Sequence, residues 1–372
     1  MNKTFHANRI KFNACVGFNG IYDIEAYALG YLESVQILIE STIKGKATLD
    51  AIVYPILYSA RHFIELTLKH QLSILTYINQ IVDSRFSYRI IAQHNISWFW
   101  NEFKKLSKID NRYIPLIQES NEFIDDFSEI DDNGETFRYP YSTDNNKHLG
   151  QLYCIDIIDF YSRFQLLSEK LNEIGFLSSL LLEEYRQRSF LCNKSRSEIE
   201  SIAKKLPSIN TWHNENFKII KANLKDEFSL SSNQLSKIIS FIKSHREFSS
   251  LIDNEIKIKE LTINDFKWFL NQYDEFLKSK PQNDYFEYLQ EKTDKIYRRL
   301  TKKVIASISQ LYDMGYFRLY SEEYDGGLKY KMQETKSELI RVYLFGNGIV
   351  KENIKLGLQS MGQKTLLKAF DC

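Results

Sequence analysis

Proline and glycine are scarce in this chain, at 5 and 14 among 372 residues. Both interrupt helices. Their scarcity, with long segments that repeat apolar residues at three- and four-residue spacing, predicts an all-α fold. Cysteine is equally thin. Cys15, Cys154, Cys192 and Cys372 lie far apart without a Cys-x-x-Cys, which excludes a zinc ribbon and suits free thiols in a reducing compartment. There is no excess of charge, since 49 Lys+Arg against 48 Asp+Glu leave +1, so any polyanion site must be a local patch. No run approaches the roughly 18 apolar residues that cross a bilayer. The start, Met1-Asn2-Lys3-Thr4-Phe5-His6, lacks the apolar stretch of a secretory signal. A soluble, cytoplasmic protein without a membrane partner is expected. The Gly-x-x-x-x-Gly-Lys-Ser/Thr, Gly-x-Gly-x-x-Gly, His-Glu-x-x-His and Gly-x-Ser-x-Gly signatures are also missing, so no metal or cofactor is expected.

What is present is material for a core. The 43% hydrophobic and 14% aromatic content excludes a disordered chain. Periodicity predicts helices at about 22–45, 50–80, 95–107, 112–129, 147–173, 175–188, 196–204, 212–226, 232–244, 259–277, 283–311 and 334–344, with Asp50 capping the second. Composition shifts near 189–211, and three regions follow: a helical bundle over 1–188, a small helical module over 189–256 and a helical region over 257–372. Residues 131–146 gather turn formers around an extended Arg138-Tyr139-Pro140 segment, and long loops in compact helical domains tend to carry function.

The predicted helix from Asp50 carries a charged stripe. Tyr54, Tyr58, Arg61, His62, Glu65 and Lys69 fall within an arc of about 100°, while Ile56, Leu57, Ala60, Phe63, Ile64 and Leu68 occupy most of the rest. A helix so apolar must be largely buried, and buried charges need partners. The stripe is either a satisfied polar network or a site. His94, opening the next helix, and Arg138, in the loop, are the natural additions to a site: histidine titrates near neutrality and arginine offers a planar fork to phosphate. Together they suit metal-free RNA cleavage, in which a 2′-hydroxyl attacks the adjacent phosphorus. A second polyanion candidate is the predicted helix at 283–311, where Lys292, Lys295, Arg299, Lys302 and Lys303 share one face that could track a phosphate backbone. The alternative for those five cations is a solvated helix face.

The order Tyr54-Pro55-x-Leu57-x-x-x-Arg61-His62-x-x-Glu65-Leu66-x-Leu68-Lys69, then Gln93-His94-x-Ile96-x-x-Phe99-Trp100, then Phe137-Arg138-Tyr139-Pro140 with Asp144, resembles the helical core of bacterial HEPN-like proteins over residues 22–188. The resemblance implies a four- or five-helix bundle that dimerises. Many members are metal-independent ribonucleases of toxin–antitoxin, CRISPR and antiphage systems, and others are inactive binding modules. Catalytic members carry Arg-x(4–6)-His early in a late helix; here that spacing is met by Arg89 and His94, with an apolar residue after the arginine and earlier in the bundle. The expectation is a HEPN-like ribonuclease or effector in antiphage defence or toxin–antitoxin activity, with RNA and an operon-encoded protein as partners. The alternative is a non-catalytic sensor or adaptor subunit.

Overall fold

The computed structural model describes residue 4 and residues 13–20, 23–89, 93–150, 152–278, 285–345 and 349–370. Among these, every regular element is helical. The chain divides into two compact units, Met1–Arg188 and Ser189–Cys372. Cys15, Cys154 and Cys192 are free thiols; Cys372 lies outside the described residues.

The first unit contains α1 (Ile24–Ile43), α2 (Leu49–Val82), α3 (Ile96–Leu106), α4 (Tyr113–Asp131) and α5 (Ile157–Arg186). Local side chains set their starts: Asp23 accepts from the Ala26 amide at 2.7 Å, Asn95 from Trp98 at 2.6 Å, and Asp156 from Ile158 and Asp159 at 2.9 and 3.1 Å. α2 is the axis, packed against α1, α3 and α5. It buries Ile56, Ile64, Leu68, Leu72, Leu75 and Ile78. At about 1.5–3 kcal/mol per buried aliphatic side chain, this series offsets the ~3 kcal/mol that Pro55 costs inside a helix.

Several boundaries differ from the sequence-based expectation. One helix, α5, replaces the two expected at 147–173 and 175–188, because Asp156 caps a later start and Gly175 lies within the helix, facing Gln71 of α2. Asp50 lies in the first turn of α2, whose N-cap position is Thr48. Arg138 is not in an extended segment: the amides of Arg138 and Tyr139 both donate to Glu135 O, closing a turn.

In the second unit, α6 (Arg196–Lys205), α7 (Glu215–Glu227), α8 (Ser232–Ser244) and α9 (Arg246–Leu251) enclose a cluster that includes Ile202, Ile238, Ile242 and Phe248. A second cluster is built by α10 (Ile263–Lys278), α11 (Tyr285–Arg299), α12 (Lys302–Tyr316), α13 (Tyr324–Lys331), α14 (Lys336–Glu338), a π-helical turn (Leu339–Leu344), α15 (Val350–Ser360) and α16 (Lys364–Leu367). The last two helices have no counterpart in the sequence-based expectation. α12 is buried continuously from Val304 to Tyr312 and packs on α15. At that crossing two glycines face backbone: a Cβ on Gly315 would lie 1.9 Å from Asn353 O, and one on Gly357 2.0 Å from Leu311 O.

The helix expected at 283–311 is broken. Thr301 accepts from the Val304 amide at 3.3 Å and starts α12 anew. The break resets the helical register, so Lys292, Lys295, Arg299, Lys302 and Lys303 do not share one helix face. α10 also supplies carboxylates to three of them: Lys292 and Lys295 lie 3.8 and 3.3 Å from Glu275, and Arg299 lies 3.4 Å from Asp265. Lys302 donates to Met332 O at 2.8 Å.

Candidate active site where α2 meets α3 and α4

The i, i+4 spacing of Arg61, Glu65 and Lys69 puts the three on one face of α2. Two helix ends meet that face. α4 arrives with its C-terminal carbonyls and α3 leaves from its N-terminus. Arg61 Nε donates to Asp131 O at 2.8 Å, and Nη2 to Asp132 O at 2.8 Å and to His94 O. A guanidinium thereby satisfies the end of α4, where unpaired carbonyls and the helix dipole favour a cation. Nη1 donates to Glu65 Oε2 at 2.6 Å. Asp132 completes the junction: its carbonyl accepts from the Ile96 amide at 3.0 Å, and its carboxylate accepts from the Ser97 amide at 2.8 Å and from Asn95 Nδ2.

The loop after α4 needs Gly134. Its φ is +77°, and a Cβ there would come within 2.9 Å of the Arg61 guanidinium. Gly134→Ala should lower the stability of the first unit by about 2 kcal/mol, combining left-handed strain with the clash. A shift in the urea midpoint at unchanged slope would show it.

Glu65 is the hub. Oε1 accepts from Lys69 Nζ at 2.6 Å and faces His94 Nδ1 at 2.9 Å, while His62 Nδ1 stands 3.7 Å from Oε2. Burial pushes the Glu65 pKa up, but His62, Lys69, Arg61 and His94 outweigh it and hold the carboxyl well below its usual range. Its pKa being depressed on folding, Glu65 contributes stability above the ordinary carboxylate range, lost as pH falls through the folded value. It is therefore an ionised acceptor, and the proton on His94 Nδ1 must point to it. That leaves Nε2 as the outward nitrogen of a ring whose side chain is 62% exposed.

Exposure separates the predicted site residues. Arg61 and Glu65 are 1% exposed, so neither can touch a substrate in this arrangement. His94 is open, and Lys69 and His62 are partly so. His62 stacks on Tyr58, with ring centroids 5.6 Å apart, and meets Tyr31 of α1 edge-on at 4.4 Å. Arg138 joins this row rather than the Glu65 hub: its Cζ is 5.9 Å from the Tyr58 ring, and Nε donates to Gly134 O at 2.5 Å. Arg89 is exposed in the α2–α3 connection, and no hydrogen bond or ion pair joins it to the cluster among the described residues.

Asp131, Asp132, Asn95 and Tyr31 also shape this site without having been singled out in the sequence. A second buried cluster lies in the other unit. Arg196 Nε lies 3.1 Å from Glu322 and its Nη2 pairs with Glu247; His245 Nε2 lies 3.0 Å from Glu322. It joins α6 and α9 to the segment before α13. Among the described residues no group of three or more His, Cys, Asp or Glu is placed to hold a metal ion. No helix among them is long and apolar enough to cross a membrane. Compared with protein-family models, curated proteins and solved structures, the chain matches none of them.

Proposed function

We propose that the first unit is a HEPN-like bundle that cleaves RNA without a metal, in antiphage defence or toxin–antitoxin activity. One observation carries the reading: a buried, ionised Glu65 faces His94 Nδ1 at 2.9 Å while the imidazole stands open to solvent. In this scheme His94 Nε2 takes the proton of a 2′-hydroxyl. The freed oxygen bonds to the adjacent phosphorus, the bond to the 5′-oxygen breaks, and that oxygen leaves with a proton returned by the imidazolium or by water. Glu65 supports the imidazolium, and Lys69, on the same carboxylate oxygen, supplies positive charge beside the phosphate.

The test is cleavage of labelled total RNA and tRNA in excess EDTA. Wild type should cleave, and His94→Ala should lose about 10²- to 10⁴-fold while keeping its helical circular dichroism. No cleavage, or equal cleavage by His94→Ala, overturns the reading. A second reading, a non-catalytic adaptor that self-associates, is favoured by exposed apolar side chains on α1 (Tyr27, Ile37, Ile43) and α5 (Ile158, Leu166, Phe176). An inactive protein that sediments as a homodimer would support it.

A further inference from the structure

A cavity of about 800 Å³ lies between the first turns of α2 and residues 136–140, 147–149 and 152–155. Neither His62 nor His94 lines it, so its occupant is independent of the RNA-cleavage proposal. Two cations and a histidine do. Arg138 is exposed, and its side chain donates to Gly134 O through Nε, which leaves both terminal nitrogens of the fork for a ligand. Lys147 is exposed as well. Among the described residues neither has a carboxylate within ion-pair distance. His148 is held by its backbone amide on Pro140 O at 3.0 Å, and its Nε2 is buried with no hydrogen-bond partner among the described residues. A buried polar atom left this way is costly unless something comes to it.

The other lining residues narrow the chemistry. Leu49 and Asp50, at the start of α2, form part of the wall, and the Thr48 side chain makes no cap there. The positive end of a 34-residue helix thus adds to the attraction for an anion. Tyr54, Tyr139 and Tyr153 line the cavity while 47%, 55% and 99% exposed; the Arg138 guanidinium lies over Tyr139, with Cζ 5.4 Å from the ring centroid, and Tyr54 and Tyr153 offer faces suited to stacking a planar ring. Asp50 is the acid among the lining residues; it opposes a highly charged anion and can accept from a sugar hydroxyl. The volume falls in the range of about 300–1,000 Å³ typical of small-molecule sites.

We propose that this cavity binds a nucleoside monophosphate, with its phosphate on Arg138, Lys147 and His148 and its base on Tyr54 and Tyr153. Isothermal titration of the full-length protein with AMP and UMP, and with adenosine and inorganic phosphate as controls, tests it. Saturable binding of at least one monophosphate is expected, with adenosine and inorganic phosphate each at least about tenfold weaker. Lys147→Gln and Tyr153→Ala alter exposed side chains, so the fold should persist; each should weaken binding about tenfold. His94→Ala should bind as wild type does. No saturable binding of either monophosphate up to about 1 mM overturns the proposal. So does binding unaffected by both substitutions, or binding matched by adenosine or by phosphate alone.

Discussion

Gly315→Ala and Gly357→Ala are each expected to destabilise the second unit by about 3 kcal/mol or more. Two effects of opposite sign compete. Alanine is better than glycine in a helix interior by about 1 kcal/mol, so in open space either change would stabilise. Here the new methyl groups would sit 1.9 Å from Asn353 O and 2.0 Å from Leu311 O. These are backbone atoms of the facing helix and cannot rotate away. α12 and α15 would have to part by about an ångström across a core containing Ile308, Leu311, Ile354 and Leu358, forfeiting dispersion contacts along the whole crossing. Overpacking costs of about 1–3 kcal/mol describe sites where side chains can yield, so this crossing belongs at or above the upper end. Urea unfolding followed by circular dichroism decides it; a gain in stability from either substitution would show that the helices are further apart than described. Gly326, with nothing within 4 Å of an added Cβ, is the internal control and should tolerate alanine.

Arg61→Met should destabilise the first unit by about 3–5 kcal/mol. Methionine fills similar length but returns none of the four hydrogen bonds; it leaves the Asp131 carbonyl at the end of α4 without its side-chain donor and the Asp132 carbonyl with the Ile96 amide alone. The Glu65 carboxylate keeps Lys69 and His94, so part of its solvation survives. Arg61→Lys keeps the charge but not the planar fork, and a single ammonium cannot reach Glu65, His94 O and two α4 carbonyls together. A loss between those of wild type and Arg61→Met is expected for it. A loss below about 1 kcal/mol for Arg61→Met would mean that the cluster behaves like a surface ion pair.

The helical class was legible because apolar spacing and scarce Pro and Gly act locally. α15 shows the limit: Val350, Ile354 and Leu358 are spaced for a helix and buried, yet Gly357 reads as a breaker until the backbone it faces is known. The break at Thr301 and the late start at Asp156 had readable capping residues, but continuous apolar spacing across them outweighed that signal. In the candidate site, Arg61, Glu65 and Lys69 announced themselves by i, i+4 spacing. Their partners did not. Arg61 is held mainly by backbone carbonyls, which carry no side-chain identity, and the stripe alone could not tell that Arg61 and Glu65 are enclosed while His94 stays open. The single helix face expected for Lys292, Lys295, Arg299, Lys302 and Lys303 is absent for a related reason: sequence spacing cannot register a helix break or the facing acids of α10.

The reach of Arg61 has a kinetic consequence. It ties α2 to residues 33, 70 and 71 positions further along the chain. Such contacts cannot form until two long chain segments have closed, whereas the helices themselves grow from neighbouring residues. If the guanidinium docks after the rate-limiting step, weakening it leaves the folding rate nearly unchanged and speeds unfolding. The junction would then act as a latch on a bundle already assembled, governing how long the first unit stays folded more than how fast it forms.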